Sequence, residues 1–107
     1  MASAPDPATP LFLEAIVKQL AVAATYNRTE VTLAPHVLYT KHGDLHVDAV
    51  TIERDGKPPK EEKLGTFKLA GLSAVRVTPR RFAPSALFDA GAERYAGETV
   101  MAVETGR

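Results

Sequence analysis

The stretch VLYTKHGDLHVDAVTIERDG, residues 37–56, constrains the fold more than any other part of the chain. Two apolar runs flank Lys41-His42-Gly43-Asp44, and the glycine supplies the positive φ that a tight hairpin turn needs. Alternation in the second run puts Leu45, Val47 and Ala49 on one face and His46 and Asp48 on the other. Beyond Ala49 the inward positions pass to Val50 and Ile52, so the phase changes in mid-strand. Such a change predicts a bulge or sharp coil near Ala49, as strongly bent strands require. A chain built on this hairpin is an antiparallel β protein.

The flanking segments fill in the rest. Leu13, Ile16, Val17 and Leu20 recur at helical spacing, which predicts an amphipathic helix over residues 10–20 with Thr9 as cap and Pro10 in the first turn. Residues 21–26 either prolong that helix or alternate as a strand; the helix is expected to end near Leu20. Asn27-Arg28 reads as a tight turn into a strand with Val31 and Leu33, which Pro35 interrupts because it lacks an N–H. Residues 55–63, DGKPPKEEK, are a polar loop in which lysines and glutamates alternate, the mark of a solvated segment. Phe67 and Leu69 alternate around Lys68, residues 70–73 turn, and Val75 and Val77 alternate around Arg76. Pro84 to Phe88 reads as a short helix capped by Ser85, and Val100, Met101 and Val103 as a last strand. Closely spaced short strands favour a mainly β protein, a small SH3- or Sm-like β-barrel with an N-terminal α-helix. Residues 1–9 are expected to be a flexible tail, 10–82 the barrel domain with its helix, and 83–107 a C-terminal extension packed on the same domain.

Length and charge narrow the function classes. The 107 residues suffice for one domain with a core of its own. With no cysteine there are neither disulfides nor the usual structural zinc cages. No apolar run is long enough to span a bilayer, and the N-terminus lacks a signal-peptide pattern, so a cytoplasmic protein is expected. The net charge is zero, but residues 26–82 hold ten basic residues against seven acidic ones, while residues 83–107 hold two against four. That asymmetry permits a local basic patch and falls short of a strongly basic nucleic-acid binder.

The order of features resembles a WYL domain over residues 14–82: a helix, a strand ending in Tyr26, VTLAP, VLYTKHGDLHVDA, FKLAGLSAV and a closing Phe82. Pro35, Gly43 and Ala49 match the family's stretch, while Leu45-His46-Val47 stands at the naming tripeptide and Gly71 where the family often carries arginine. The resemblance implies a stand-alone, Sm-like ligand-sensing module of the kind found in bacterial transcription regulators, with nucleic acids or nucleotides as ligands. Carried over by position, it implies His46 and Lys68, and also Arg54, as ligand contacts.

The residues themselves offer the same candidates with plainer alternatives beside them. His46 is suited to stack on a base or hold a phosphate, or it is a strand histidine on a solvated face. By alternation His46, Asp48 and Lys68 lie outside the core, which predicts a ligand on the outer side with Asp48 restricting which anions are tolerated. Arg76, Arg80 and Arg81 form a cluster fit for phosphates or merely for solvent. His36, His42 and His46 lack the motif of a metal site, and no cofactor motif is present. Asp44 and Asp48 share a strand face but lie roughly 13 Å apart, far for a catalytic carboxylate pair. The expectation is a non-enzymatic binding or regulatory module. Its rival is a protein-interaction or homodimerisation module using Leu87, Phe88, Val100 and Met101.

Overall fold

A computed structural model describes residues 8–89, together with Ala92, Tyr95 and residues 99–103. Most of the expected N-terminal tail lies outside these residues, as do Glu93, Arg94, Glu98, Glu104 and Arg107 of the C-terminal segment. Ala8 is an exception within the tail, being buried in the core.

Helix α1 spans Thr9–Lys18 with Pro10 in its first turn, where a missing N–H is harmless. Ala8, not Thr9, occupies the cap position and makes no side-chain cap bond. The buried hydroxyl of Thr9 has no hydrogen-bond partner among the described residues. The helix stops at Gln19, whose left-handed backbone (φ 57°) turns the chain directly into a strand at Leu20. Its buried face is Phe12, Ala15 and Ile16, continuing Ala8. This corrects the expected stripe: Ile16 belongs to it, but Val17 is 64 % exposed, and Leu13 and Leu20 are only half-buried.

Six strands follow: β1 Leu20–Tyr26, β2 Thr29–Lys41, β3 Asp44–Arg54, β4 Leu64–Lys68, β5 Leu72–Arg81 and β6 Thr99–Ala102. They form one antiparallel sheet in the order β4-β3-β2-β1-β5, with β6 also on β2. The first two turns have both central residues left-handed, Asn27-Arg28 (φ 51° and 64°) and His42-Gly43 (φ 54° and 82°). That geometry matches the twist of the strands they join, which is why both connections close in two residues. Asp55-Gly56 (φ 53° and 79°) repeats it at the end of β3.

Strand β2 is continuous through Pro35, where two shorter strands were expected. On one side β1 reaches Leu33 and β6 begins at Val37, so proline's absent donor falls where β2 has a neighbour on the β3 side alone. The phase break has two sources. Pro35 pairs with Ala49 and Val37 with Asp48, leaving His36 as an extra residue; Ile52 is the extra residue in β3. The first bulge therefore sits opposite Ala49, on the neighbouring strand.

Strands β4 and β5 stand at opposite ends of the strand order yet are joined by a single 3₁₀ turn, Leu69–Gly71. The sheet must curl to bring them that close, and further register shifts in β1–β5 add to the coil. No ladder joins β4 to β5 among the described strands, so the sheet is not closed. Rows across β2, β3 and β4 define its faces. Leu38, Val47 and Phe67 lie in register on one face, with Ala49, Gly65 and Thr51 beside them. Tyr39, His46 and Lys68 lie in register on the other, beside Val37, Asp48 and Thr66. Both faces are covered at the centre, so β3 is buried continuously from Val47 to Val50. Among the described residues no helix is long and apolar enough to cross a membrane.

The C-terminal segment covers the second face. In place of the expected short helix at 84–88 there is one turn, in which the Phe88 N–H donates to the Ser85 carbonyl and the Leu87 N–H to the Ser85 hydroxyl. Phe88, Tyr95 and Val103 are buried against the rest of the core. Because α1 docks through Phe12 and not through Val17, Phe12→Ala should destabilise the protein by about 3–5 kcal/mol, whereas Val17→Ala should stay within about 0.5 kcal/mol. Chemical unfolding of the two variants measures this.

Candidate functional site

The hairpin opens the site. Tyr39 on β2, His46 on β3 and Lys68 on β4 are consecutive cross-strand neighbours, so their side chains line up on one face. The rings of Tyr39 and His46 lie nearly parallel, 28° apart with centroids at 5.9 Å. Tyr39 is buried and His46 half-buried, with Lys68 as its neighbour on the side away from Tyr39. His46 Nδ1 lies 3.1 Å from the Asp44 carbonyl. Lys68 Nζ lies 3.3 Å from Asp44 Oδ2, a pair exposed at both ends and of small energetic weight. The structure thus brings His46 and Lys68 together, and it adds a carboxylate to them.

Asp48 behaves differently from the expectation. It does lie opposite Val47, on the face of His46 and Lys68, but it is fully buried and not solvated. Its Oδ1 accepts hydrogen bonds from the Tyr39 hydroxyl and the Thr66 hydroxyl, each at 2.7 Å, and its Oδ2 accepts one from the Tyr95 hydroxyl. Tyr95 also meets Tyr39 edge-on at 5.1 Å. Alternation fixes which face a residue takes and is silent on what covers that face. Here the cover is Tyr95, 47 residues further along. With both oxygens engaged inside the protein, Asp48 acts as an anchor for the C-terminal segment.

The arginines of the expected cluster each have a different setting. Arg76 pairs with Glu30 on β2 and also donates to the Ala74 carbonyl at 2.7 Å. Arg80 reaches Glu53 on β3 at 3.1 Å. Arg81 lines a groove of about 670 Å³ between the end of α1 and Phe82-Ala83-Pro84. Arg54 stands apart from all of these, at the rim of a second hollow under the β3–β4 connection. Of the residues expected to contact a ligand, His46 and Lys68 adjoin each other, Asp48 is buried beneath them, and Arg54 lines a hollow on its own.

The residue that sequence reasoning undervalued is His36. As the extra residue of the β2 bulge it is fully buried, between Phe82 at 5.2 Å and Phe88 at 5.5 Å. Its Nδ1 lies 2.7 Å from the Ala34 carbonyl, and its Nε2 accepts the Ser85 N–H at 2.8 Å. Together these bonds assign the neutral tautomer with the proton on Nδ1. The His36 carbonyl accepts the Val103 N–H at 2.7 Å. One bulge residue thus holds the C-terminal segment at both ends. The only signal in the sequence is a histidine set between Pro35 and the apolar run from Val37.

No family model matches the chain, and no curated protein or solved structure matches it significantly either. The likeness to WYL domains therefore rests on the order of sequence features.

Burial lowers the His36 pKa below its ordinary 6.5, outweighing the Ala34 bond and the nearby Glu62 carboxylate, which raise it. Folding thus favours the neutral ring. Its stabilising contribution is complete above the unfolded value and is lost as pH falls through the lower folded value. The unfolding midpoint should drop from about pH 7.5 to about pH 5 more steeply in the wild type than in His36→Gln, whose amide keeps a donor and an acceptor without titrating. Denaturant titrations of both proteins across that range test this.

Proposed function

We propose that this chain is a non-enzymatic binding module, a WYL-like domain on an Sm- or SH3-like curled sheet, that recognises nucleic acid or a nucleotide in transcription control. The observation that carries the reading is the row Tyr39–His46–Lys68. A half-buried imidazole backed by a buried tyrosine is a rigid platform on which a base stacks. The lysine beside it is placed to meet the attached phosphate once Asp44 is displaced. Stacking on a ring and pairing with a cation are the chemistry of binding, which is the reading adopted for this row.

A second reading, a homodimer or a protein-interaction surface, is favoured by Leu87 and Val100. These stand 51 % and 47 % exposed on the C-terminal segment, and Val100 lies in β6, an edge strand of the sheet.

Anisotropy titration of a labelled single-stranded oligonucleotide distinguishes the two. The wild type should bind, and more weakly as salt rises, because phosphate contacts release counterions. The double variant His46→Ala/Lys68→Ala should lose binding while its stability changes by no more than about 0.5 kcal/mol. Equal anisotropy curves for the two proteins at low salt would refute the nucleic-acid reading. A dimer in sedimentation runs of the same samples would then favour the second.

A further inference from the structure

We infer that the hollow between the β3–β4 connection and the sheet is a binding site for a small phosphate monoester carrying a flat apolar body. The hollow has a volume of about 480 Å³, within the range of small-ligand sites. Its floor is the face of Val47 and Phe67, so it opens on the opposite side of the sheet from His46 and Lys68. It is therefore independent of the reading above.

The charge at this place follows from the local chain. Asp55-Gly56 closes a tight turn in which Arg54 and Lys57 exchange backbone hydrogen bonds of 2.8 and 3.0 Å, so their side chains start from directly opposed positions. Pro58 and Pro59 then hold the chain extended, and Lys60 and Lys63 complete the basic lining. Ion pairs among the described residues engage Lys18, Lys68, Arg76 and Arg80. Arg54, Lys57, Lys60 and Lys63 have no carboxylate partner among them.

Three acids lie in the same stretch, and two are kept away from the lining. Asp55 occupies the turn, and Glu62 accepts a hydrogen bond from the Ser85 hydroxyl on the C-terminal segment. Only Glu61 joins the four cations around the hollow. The alternation of lysine and glutamate that reads as a neutral solvated loop is thus resolved in space into a basic site. A phosphate monoester, carrying nearly two charges at neutral pH, suits four cations facing one carboxylate.

The apolar requirement comes from the floor. Phe67 is buried and braced edge-on by Tyr26 at 5.2 Å, while Gly65 and Thr51 leave the space above it open. Gly65 has no left-handed backbone angle, so its value here is the room left by the missing side chain. A Cβ at that position would meet only the Phe67 ring, at 3.6 and 3.9 Å, ordinary contacts that the fold tolerates. Gly65→Leu is therefore a way to fill the floor without touching a charge.

Calorimetric titration with phenyl phosphate and with inorganic phosphate tests the site. The wild type should bind phenyl phosphate about tenfold more tightly than inorganic phosphate. Gly65→Leu should erase that advantage and leave inorganic phosphate unchanged. Lys60→Gln/Lys63→Gln, which needs no repacking, should weaken both ligands by about tenfold. His46→Ala/Lys68→Ala should alter neither, so this site stands or falls separately from oligonucleotide binding. Equal affinity for the two ligands, indifference of phenyl phosphate to the lysine changes, or its loss in the His46/Lys68 variant would each overturn the inference.

Discussion

The carboxylate of Asp48 is the constraint around which the second face of the sheet is arranged. A buried carboxylate is tolerated only when its oxygens are hydrogen-bonded, because leaving them bare costs several kcal/mol. Here the donors come from three separate elements: Tyr39 on β2, Thr66 on β4 and Tyr95 on the C-terminal segment. Meeting that requirement fixes the register of the β2–β3–β4 rows and fixes where the last segment must lie. Each such bond to a charged group contributes about 1.5–3 kcal/mol, comparable with the burial of a large side chain.

The His36 bulge makes the same closure from the other end of the segment. An extra residue in β2 turns an imidazole into the space under Phe82 and Phe88, and Ser85 and Val103 are tied to its ring and its carbonyl. Closure also decides which side chains of that face stay exposed. The face that alternation marks as outer is covered over Asp48, while at the hairpin end Lys68 is exposed and His46 half-buried. The opposite face is sealed by the core except under the β3–β4 connection, where the lysines gather.

Much of this was legible in the sequence, and the failures have physical causes. The turns at Asn27-Arg28 and His42-Gly43 were readable because a two-residue hairpin demands left-handed backbone, which few residues tolerate. The phase break at Ala49 was readable, but not which strand bulges, since either strand can supply the extra residue. The helix face was misread because Leu11, Phe12, Leu13, Ala15, Ile16 and Val17 are apolar almost all round, so periodicity selects no single stripe. Strand β1 was ambiguous for the same reason, its Ala21–Ala24 being buried on both faces. Asp48 was misplaced because its partner Tyr95 is distant in sequence, and no local pattern encodes it.

The most direct test of the account is amide hydrogen exchange in Asp48→Ala. If the carboxylate organises the second face, the Ser85 and Val103 amides, both bonded to His36, should lose protection far more than those of the β1–β5 ladder around Val22 and Val77. Protection at Ser85 and Val103 that stays at the wild-type level, or falls only in step with Val22 and Val77, would contradict it.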